Sequence, residues 1–193
     1  MKRFLLLFSL TIGMISNSYS QKNSYGISVG IGGGSILKQS LEGAASYDLK
    51  TGYFIGFEYS RDLTKKLSFQ TGLNYYSNKV LVTPSFNPDI PNITSEYKLS
   101  LLYIPISLRM NLSKYFFING GIIGDLDISS RKQITSQTGI GAMVGLGSEI
   151  SINNNFSIQV SPYLNFHALL QFRRFNSPER VMDAGIKLSF ILK

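Results

Sequence analysis

The sequence predicts an all-β fold, an eight-stranded antiparallel up-and-down transmembrane β-barrel. Three observations carry this. Apolar and polar residues alternate with period two from Tyr25 onward. The links between the alternating segments are short and long by turns. The polar parity is built from Gly, Ser and Asn, which suit a crowded narrow interior, and is poor in the Lys and Glu of a solvated face. The other parity carries more large aliphatic and aromatic residues than one narrow barrel can enclose, so those side chains are expected to face lipid.

Composition narrows the classes. The 193 residues are 44% hydrophobic and 16% charged, enough for one domain with an interior and too apolar for disorder. No stretch beyond residue 20 approaches the ~20 apolar residues of a membrane-spanning helix. With no Cys, disulfide frameworks, thiolate metal sites and thiol nucleophiles are excluded, and a single His leaves little for metal chemistry.

Residues 1–20 read as a signal peptide: Lys2 and Arg3 precede an apolar run over residues 4–15, and Ser18-Tyr19-Ser20 offers small residues for cleavage before Gln21. Residues 21–193 form the barrel domain. Its first strand sets Ile27, Val29 and Ile31 against Ser28, Gly30 and Gly32. The second has Tyr53, Ile55, Phe57 and Tyr59 on one face and Gly56, Glu58 and Ser60 on the other. The third alternates Leu67, Phe69, Thr71, Leu73 and Tyr75 with Ser68, Gln70, Gly72 and Asn74. The fourth, over residues 102–112, sets Leu102, Ile104, Ile106, Leu108 and Met110 against Tyr103, Ser107, Arg109 and Asn111. The fifth, residues 115–124, is apolar on both parities and leaves its facing open. In the sixth, Ile140, Ala142, Val144, Leu146 and Ile150 oppose Gly141, Gly145, Gly147 and Glu149. In the seventh, Phe156, Ile158, Val160, Leu164 and Phe166 oppose Ser157, Gln159, Ser161, Asn165 and His167. The eighth sets Met182, Ala184, Ile186, Leu188 and Phe190 against Asp183, Gly185, Lys187 and Ser189.

Short links fall near residues 61–66, 113–114 and 153–155, the last an Asn triplet suited to positive φ in a tight turn. Long links fall near residues 34–51, 80–97, 125–137 and 169–180. Pro105 and Pro162 lie inside strands and remove ladder hydrogen bonds, so a bulge or strand end is expected at each, near the outer rim for Pro162. Tyr25, Tyr53, Tyr59, Tyr75, Tyr97, Tyr115 and Tyr163 lie mostly toward strand ends, as rings at a membrane boundary do.

Glu58, Arg109, Glu149 and Lys187 share the inward parity, in the half of their strands nearest the short turns. Isolated charges in a narrow lumen are costly, so they are expected to pair as a structural network, with Asp183 as a further candidate member. A gated ion path is the functional alternative. His167 sits on the inward parity near the fourth long link, but an acyl hydrolase would need Ser and an acid beside it. The following residues are Ala168, Leu169 and Leu170, and Ser161 and Asp183 are expected to stay apart from it, leaving a hydrogen-bonded interior His. Arg173, Arg174 and Arg180 form a basic cluster in the fourth long link, without a basic helix or aromatic ladder, so nucleic acid is rejected as a partner despite the net charge of +8. Anionic lipopolysaccharide at the outer surface is the expected contact. No catalytic residue, cofactor or metal ligand is assigned.

Leu102-Tyr103-Ile104-Pro105-Ile106-Ser107-Leu108-Arg109 resembles a strand motif of the Bacteroidetes outer-membrane β-barrel domain family, which includes the PorT-like proteins. Phe116-Phe117-Ile118-Asn119-Gly120-Gly121 is similar to that family's glycine-rich fifth strand, and the run over residues 139–147 to its sixth. The resemblance implies an exported, porin-like protein of a bacterial outer membrane. The expectation that follows is a non-enzymatic, monomeric barrel with a side-chain-filled lumen, binding or scaffolding through its extracellular loops. Its partners would be outer-membrane lipid, lipopolysaccharide and other envelope proteins. An accessory component of a secretion or assembly machine is the alternative, and a lipid-modifying enzyme a third.

Overall fold

The computed structural model describes residues 22–37, 46–83, 94–130, 134–173 and 178–193. The signal peptide read at residues 1–20, part of each long link, and Arg174 lie outside the described residues. Within them the chain forms strands β1 (Asn23–Leu37), β2 (Ser46–Leu49), β3 (Gly52–Asp62), β4 (Leu67–Thr83), β5 (Ser95–Asn111), β6 (Phe116–Asp127), β7 (Gly139–Ser151), β8 (Phe156–Gln171) and β9 (Arg180–Leu192), and no helix. Every consecutive pairing is antiparallel, and β9 returns to β1 from Tyr25↔Leu192 to Leu37↔Arg180, closing a ring of eight.

The short β2 is not a ninth stave. It pairs with β4 from Ser46↔Thr83 to Leu49↔Val80 and touches β1 at Ser35↔Asp48, continuing β3 outward after a one-residue register change at Lys50 and Thr51. The expected long link over residues 34–51 is thus partly strand.

Three hairpin turns at one end are chemical copies of each other. Thr64, Ser113 and Asn153 each turn a side-chain oxygen back to accept from the backbone N–H groups two and three residues on, at 2.8–3.3 Å. Asn153 works by this side-chain bond. The expected positive φ in the Asn triplet is absent, because Ala168 is the one non-glycine residue with positive φ among the described residues. Strand β1 starts and β9 ends at this same end, and in outer-membrane barrels the short turns lie on the periplasmic side.

Outside, the aliphatic parity is exposed on every stave, as with Ile31 at 65%, Leu146 at 61% and Ile186 at 57%. Inside stand Ser28, Asn74, Ser107, Asn119, Gln159 and Ser161, all buried. Water would penalise that arrangement and hydrocarbon favours it. The fifth predicted strand resolves with Phe116, Ile118 and Ile122 outward and Phe117, Asn119 and Ile123 inward.

Toward the outer end the pattern inverts, against expectation. Strands β4 and β5 each run 17 residues, well beyond the ~9–11 needed to cross hydrocarbon. In the excess, Val80, Leu99 and Leu101 turn inward while Lys79, Glu96 and Lys98 turn out. Above the bilayer the barrel meets water on its outside, so apolar residues return to the interior, as in a soluble barrel. They form one buried cluster with Phe54, Tyr76, Tyr103, Ile123, Tyr163 and Val181. Tyr163 therefore faces the lumen, correcting its assignment to the membrane boundary, because it shares parity with Ser161 and Asn165.

The prolines need no bulge. Pro105 pairs with Ile123 and Pro162 with Ile186 in mid-strand; on the other flank the ladder skips them and resumes in unchanged register. Thr71 Oγ1 donates to the Pro105 carbonyl at 2.8 Å beside that gap. The register shift of β8 falls instead at residues 167–169, three residues facing Gly141 alone.

Candidate functional site

The lumen is the candidate site, and glycine and serine on intervening strands decide which charges meet there. Glu58 on β3 and Lys187 on β9 flank β1, which turns Gly26, Ser28 and Gly30 inward. With no side chain in the way beyond a serine, Lys187 Nζ reaches Glu58 Oε1 at 2.7 Å. On the far wall Arg109 of β5 crosses β6 to Glu149 of β7 at 2.5 Å, its guanidinium 3.8 Å above the Phe117 ring centroid. Asn111 accepts from Arg109 Nε at 2.9 Å, and Lys193 Nζ and Gln159 Nε2 complete the shell of Glu149 at 2.5 and 3.1 Å. The four lumen charges read from the sequence thus stand as two separate pairs, the second joined by Lys193.

Asp183 joins neither pair. Its Oδ1 stands 2.7 Å from His167 Nε2, and Asp125 Oδ1 stands 2.7 Å from Nδ1. This overturns the expectation that His167 and Asp183 stay apart. The bulge in β8 is the reason: Ala168, at φ 46, donates its N–H to Asp125 Oδ2 at 2.8 Å and fixes His167 inward. Gly139 and Gly141 of β7 leave room for Asp125 to reach across from β6. The ring and both carboxylates are at most 1% exposed. With both carboxylates ionised, only the imidazolium form could donate from both nitrogens; Asp183 Oδ2 is left buried without a hydrogen-bond partner among the described residues.

Asp125 was missed because it follows a doubly apolar strand and reads as the start of a long link. The available signal was its parity, shared with Asn119 and Ile123.

Tyr76 stacks over His167 with centroids 5.8 Å apart, Tyr103 meets it edge-on at 5.5 Å, and Phe54 meets Tyr163 edge-on at 5.4 Å. These rings close the barrel between the two ends. Beneath them a cavity of about 40 Å³, lined by Glu58, Asn74, Tyr103, Asn119 and Lys187 among others, has room for a few waters. At the periplasmic mouth a wider vestibule of about 190 Å³ is lined by Lys22, Asp62, Arg109, Glu149 and Lys193 among others.

At the outer mouth, Gln137 is fully buried; its Nε2 donates to the carbonyls of Thr135 and Glu179 and its Oε1 accepts from Val181 N–H. Of the loop basic cluster, Arg173 is exposed beside Phe172, itself 69% exposed, while Arg180 opens β9 half-buried. No group of three or more His, Cys, Asp or Glu residues among the described residues is arranged to hold a metal ion.

The outer membrane protein beta-barrel domain family matches residues 4–164. Among curated proteins, none matches the chain. Among solved structures, the outer membrane protein AlkL in lipid bilayers superposes with a TM-score of 0.53 at 11% identity, over 92% of this chain and 93% of AlkL. The translocator domain of autotransporter NalP from Neisseria meningitidis gives 0.38 at 9% identity, over 100% and 95% of the two chains. Ail, the attachment invasion locus protein of Yersinia pestis, gives 0.35 at 11%, over 88% and 99%.

Proposed function

Since this chain belongs to the outer membrane protein beta-barrel domain family and resides in the bacterial outer membrane, we propose that it is a closed barrel acting through its outer rim as a binding or scaffolding protein. The observation that carries this reading is the lumen: among the described residues, two ion-paired layers, a buried His–Asp bridge and an aromatic layer fill it around a mid-barrel cavity of about 40 Å³. Both nitrogens of His167 are occupied by carboxylates, so the ring has no free nitrogen to activate a nucleophile, which supports a non-enzymatic reading. At the rim, the exposed Phe172 and Arg173 side by side supply the apolar and cationic character that protein contacts favour. Other envelope proteins and anionic lipopolysaccharide are the partners this chemistry fits.

The absence of native Cys allows a clean test. A single Cys at position 172, carrying a photo-crosslinker in intact cells, is expected to give a discrete higher-mass adduct. The same probe at position 114, in a periplasmic turn, is expected to give none. Equal labelling at both positions, or none at 172, overturns the reading. The motif at residues 102–109 supports placing the chain in the PorT-like branch, where an accessory role in secretion is the second reading; unaffected cargo secretion on gene deletion removes it.

A further inference from the structure

Three lysines from neighbouring strands stand side by side on the outward face just beyond the apolar band, and we propose that they bind the phosphate groups of an outer-leaflet glycolipid of the lipid A class. Lys79 and Lys98 are direct cross-strand partners in the β4–β5 ladder. Lys50, at the junction of β2 and β3, donates its backbone N–H to the Lys79 carbonyl at 2.9 Å and so flanks Lys79 on the other side.

Like charges placed directly opposite destabilise a sheet unless something of opposite sign joins them. Two residues further out, Glu96 stands 2.7 Å from Lys79 Nζ and 2.9 Å from Lys50 Nζ, and the exposed Asp48 lies on the same register row as Glu96, across Leu81. Hydrogen bonds from Lys79 and Lys50 hold its carboxyl below the ordinary range, so it stays ionised. Three cations to two anions leave a net charge of +1. Lys50 and Lys79 are 48% and 61% exposed.

Height selects the ligand. Tyr53, Ser77 and Ser100 lie on one register row, and Tyr75, just below, turns its hydroxyl to within 3.3 Å of Ser100 Oγ. Tyrosine hydroxyls at this level mark the edge of the hydrocarbon. Lys79 is two residues further out than Ser77, about 7 Å along the strand. At this point the apolar parity has already switched inward, with Val80, Leu99 and Leu101. The lysines therefore stand at headgroup height, facing lipid, where phosphates of the outer leaflet lie within reach of flexible ammonium groups.

The patch belongs to one side of the barrel: the outer ends of β7 and β8 turn out Ile140 and Leu170. This surface is separate from the rim loops and goes beyond a role assigned to them.

The test uses the full protein folded in detergent, with native mass spectrometry reading bound lipid. Diphosphorylated lipid A is expected to be retained by the wild type, and retention to fall roughly 10-fold or more in the Lys50→Gln/Lys79→Gln/Lys98→Gln variant. Dephosphorylated lipid A should be retained no better by the wild type than by that variant. Glu96→Gln removes the carboxylate that engages Lys50 and Lys79 and should raise retention, giving an independent reading if the triple variant fails to fold. Equal retention by wild type and triple variant, undiminished retention of dephosphorylated lipid A, or no gain in Glu96→Gln overturns the proposal.

Discussion

Glu58 and Lys187 lie on strands that do not pair with each other, yet their side chains meet at 2.7 Å across β1, which presents Gly26, Ser28 and Gly30 to the lumen. An interior this narrow admits long charged side chains only where the strand between them gives up its own. The same device brings Asp125 to His167 across Gly139 and Gly141. Neither charge of the Glu58–Lys187 pair has water enough to be content alone, since both side chains are less than a fifth exposed. Lys187→Met is expected to cost about 2–4 kcal/mol, and the Glu58→Gln/Lys187→Met double variant to recover most of it. Urea unfolding in lipid vesicles, followed by far-ultraviolet circular dichroism, measures both.

His167 makes a stricter demand, because it serves two buried carboxylates at once. Glutamine in its place can donate to only one of them. His167→Gln should therefore lower stability by about 3–5 kcal/mol, with His167→Gln/Asp183→Asn regaining a substantial part. If the double variant is no more stable than the single one, the bridge is not held together by charge.

Two glycines separate close approach from mere flexibility. A Cβ on Gly141 would come within 2.7 Å of Ile123 Cγ1 and 3.0 Å of Asp125 Oδ2, whereas one on Gly33 meets nothing within 4 Å. Gly141→Ala is expected to destabilise by about 1–3 kcal/mol. Gly33→Ala should be neutral or stabilising by up to about 1 kcal/mol, since alanine loses less backbone entropy on folding. The unfolding midpoints of the two variants should move in clearly different ways.

The staves were legible from period-two alternation, and their facing, except in the fifth, from the small polar residues of one parity, as Ile27, Val29 and Ile31 against Ser28, Gly30 and Gly32 show. The inversion at Val80 and Leu99 was not, since an apolar-in pattern abutting an apolar-out one cancels the period and reads as a link. That Glu58, Arg109, Glu149 and Lys187 pair followed from parity and the cost of lone charges, while which partners meet was set by the glycines of the intervening strands. The His167 bridge did not, because it depends on a bulge centred on Ala168, a residue with no intrinsic preference for positive φ. Tertiary contacts set that conformation: the Ala168 N–H is held by Asp125 from two strands away. The prolines misled for the converse reason. A ladder can skip one rung without slipping, so Pro105 and Pro162 cost local hydrogen bonds and leave the register intact.

Conduction is the property a porin-like chain most readily invites, and the geometry argues against it. A general diffusion channel is built from ~16 strands, whereas this ring has eight. A solute entering from the periplasm would pass the vestibule of about 190 Å³ and then meet the Glu58–Lys187 pair. Beyond it lie the Phe54, Tyr103 and Tyr163 rings and the His167 bridge. Opening that path would unpair buried charges at several levels at once. The purified monomer in planar bilayers is therefore expected to show no stable conductance of porin size, and proteoliposomes no sugar-driven swelling. Arg109→Glu should unfold more readily without becoming conductive, because it sets a carboxylate against Glu149 in place of the present pair. A steady, voltage-independent conductance from the wild-type monomer would mean that the lumen side chains separate as a unit, and would make transport the leading function.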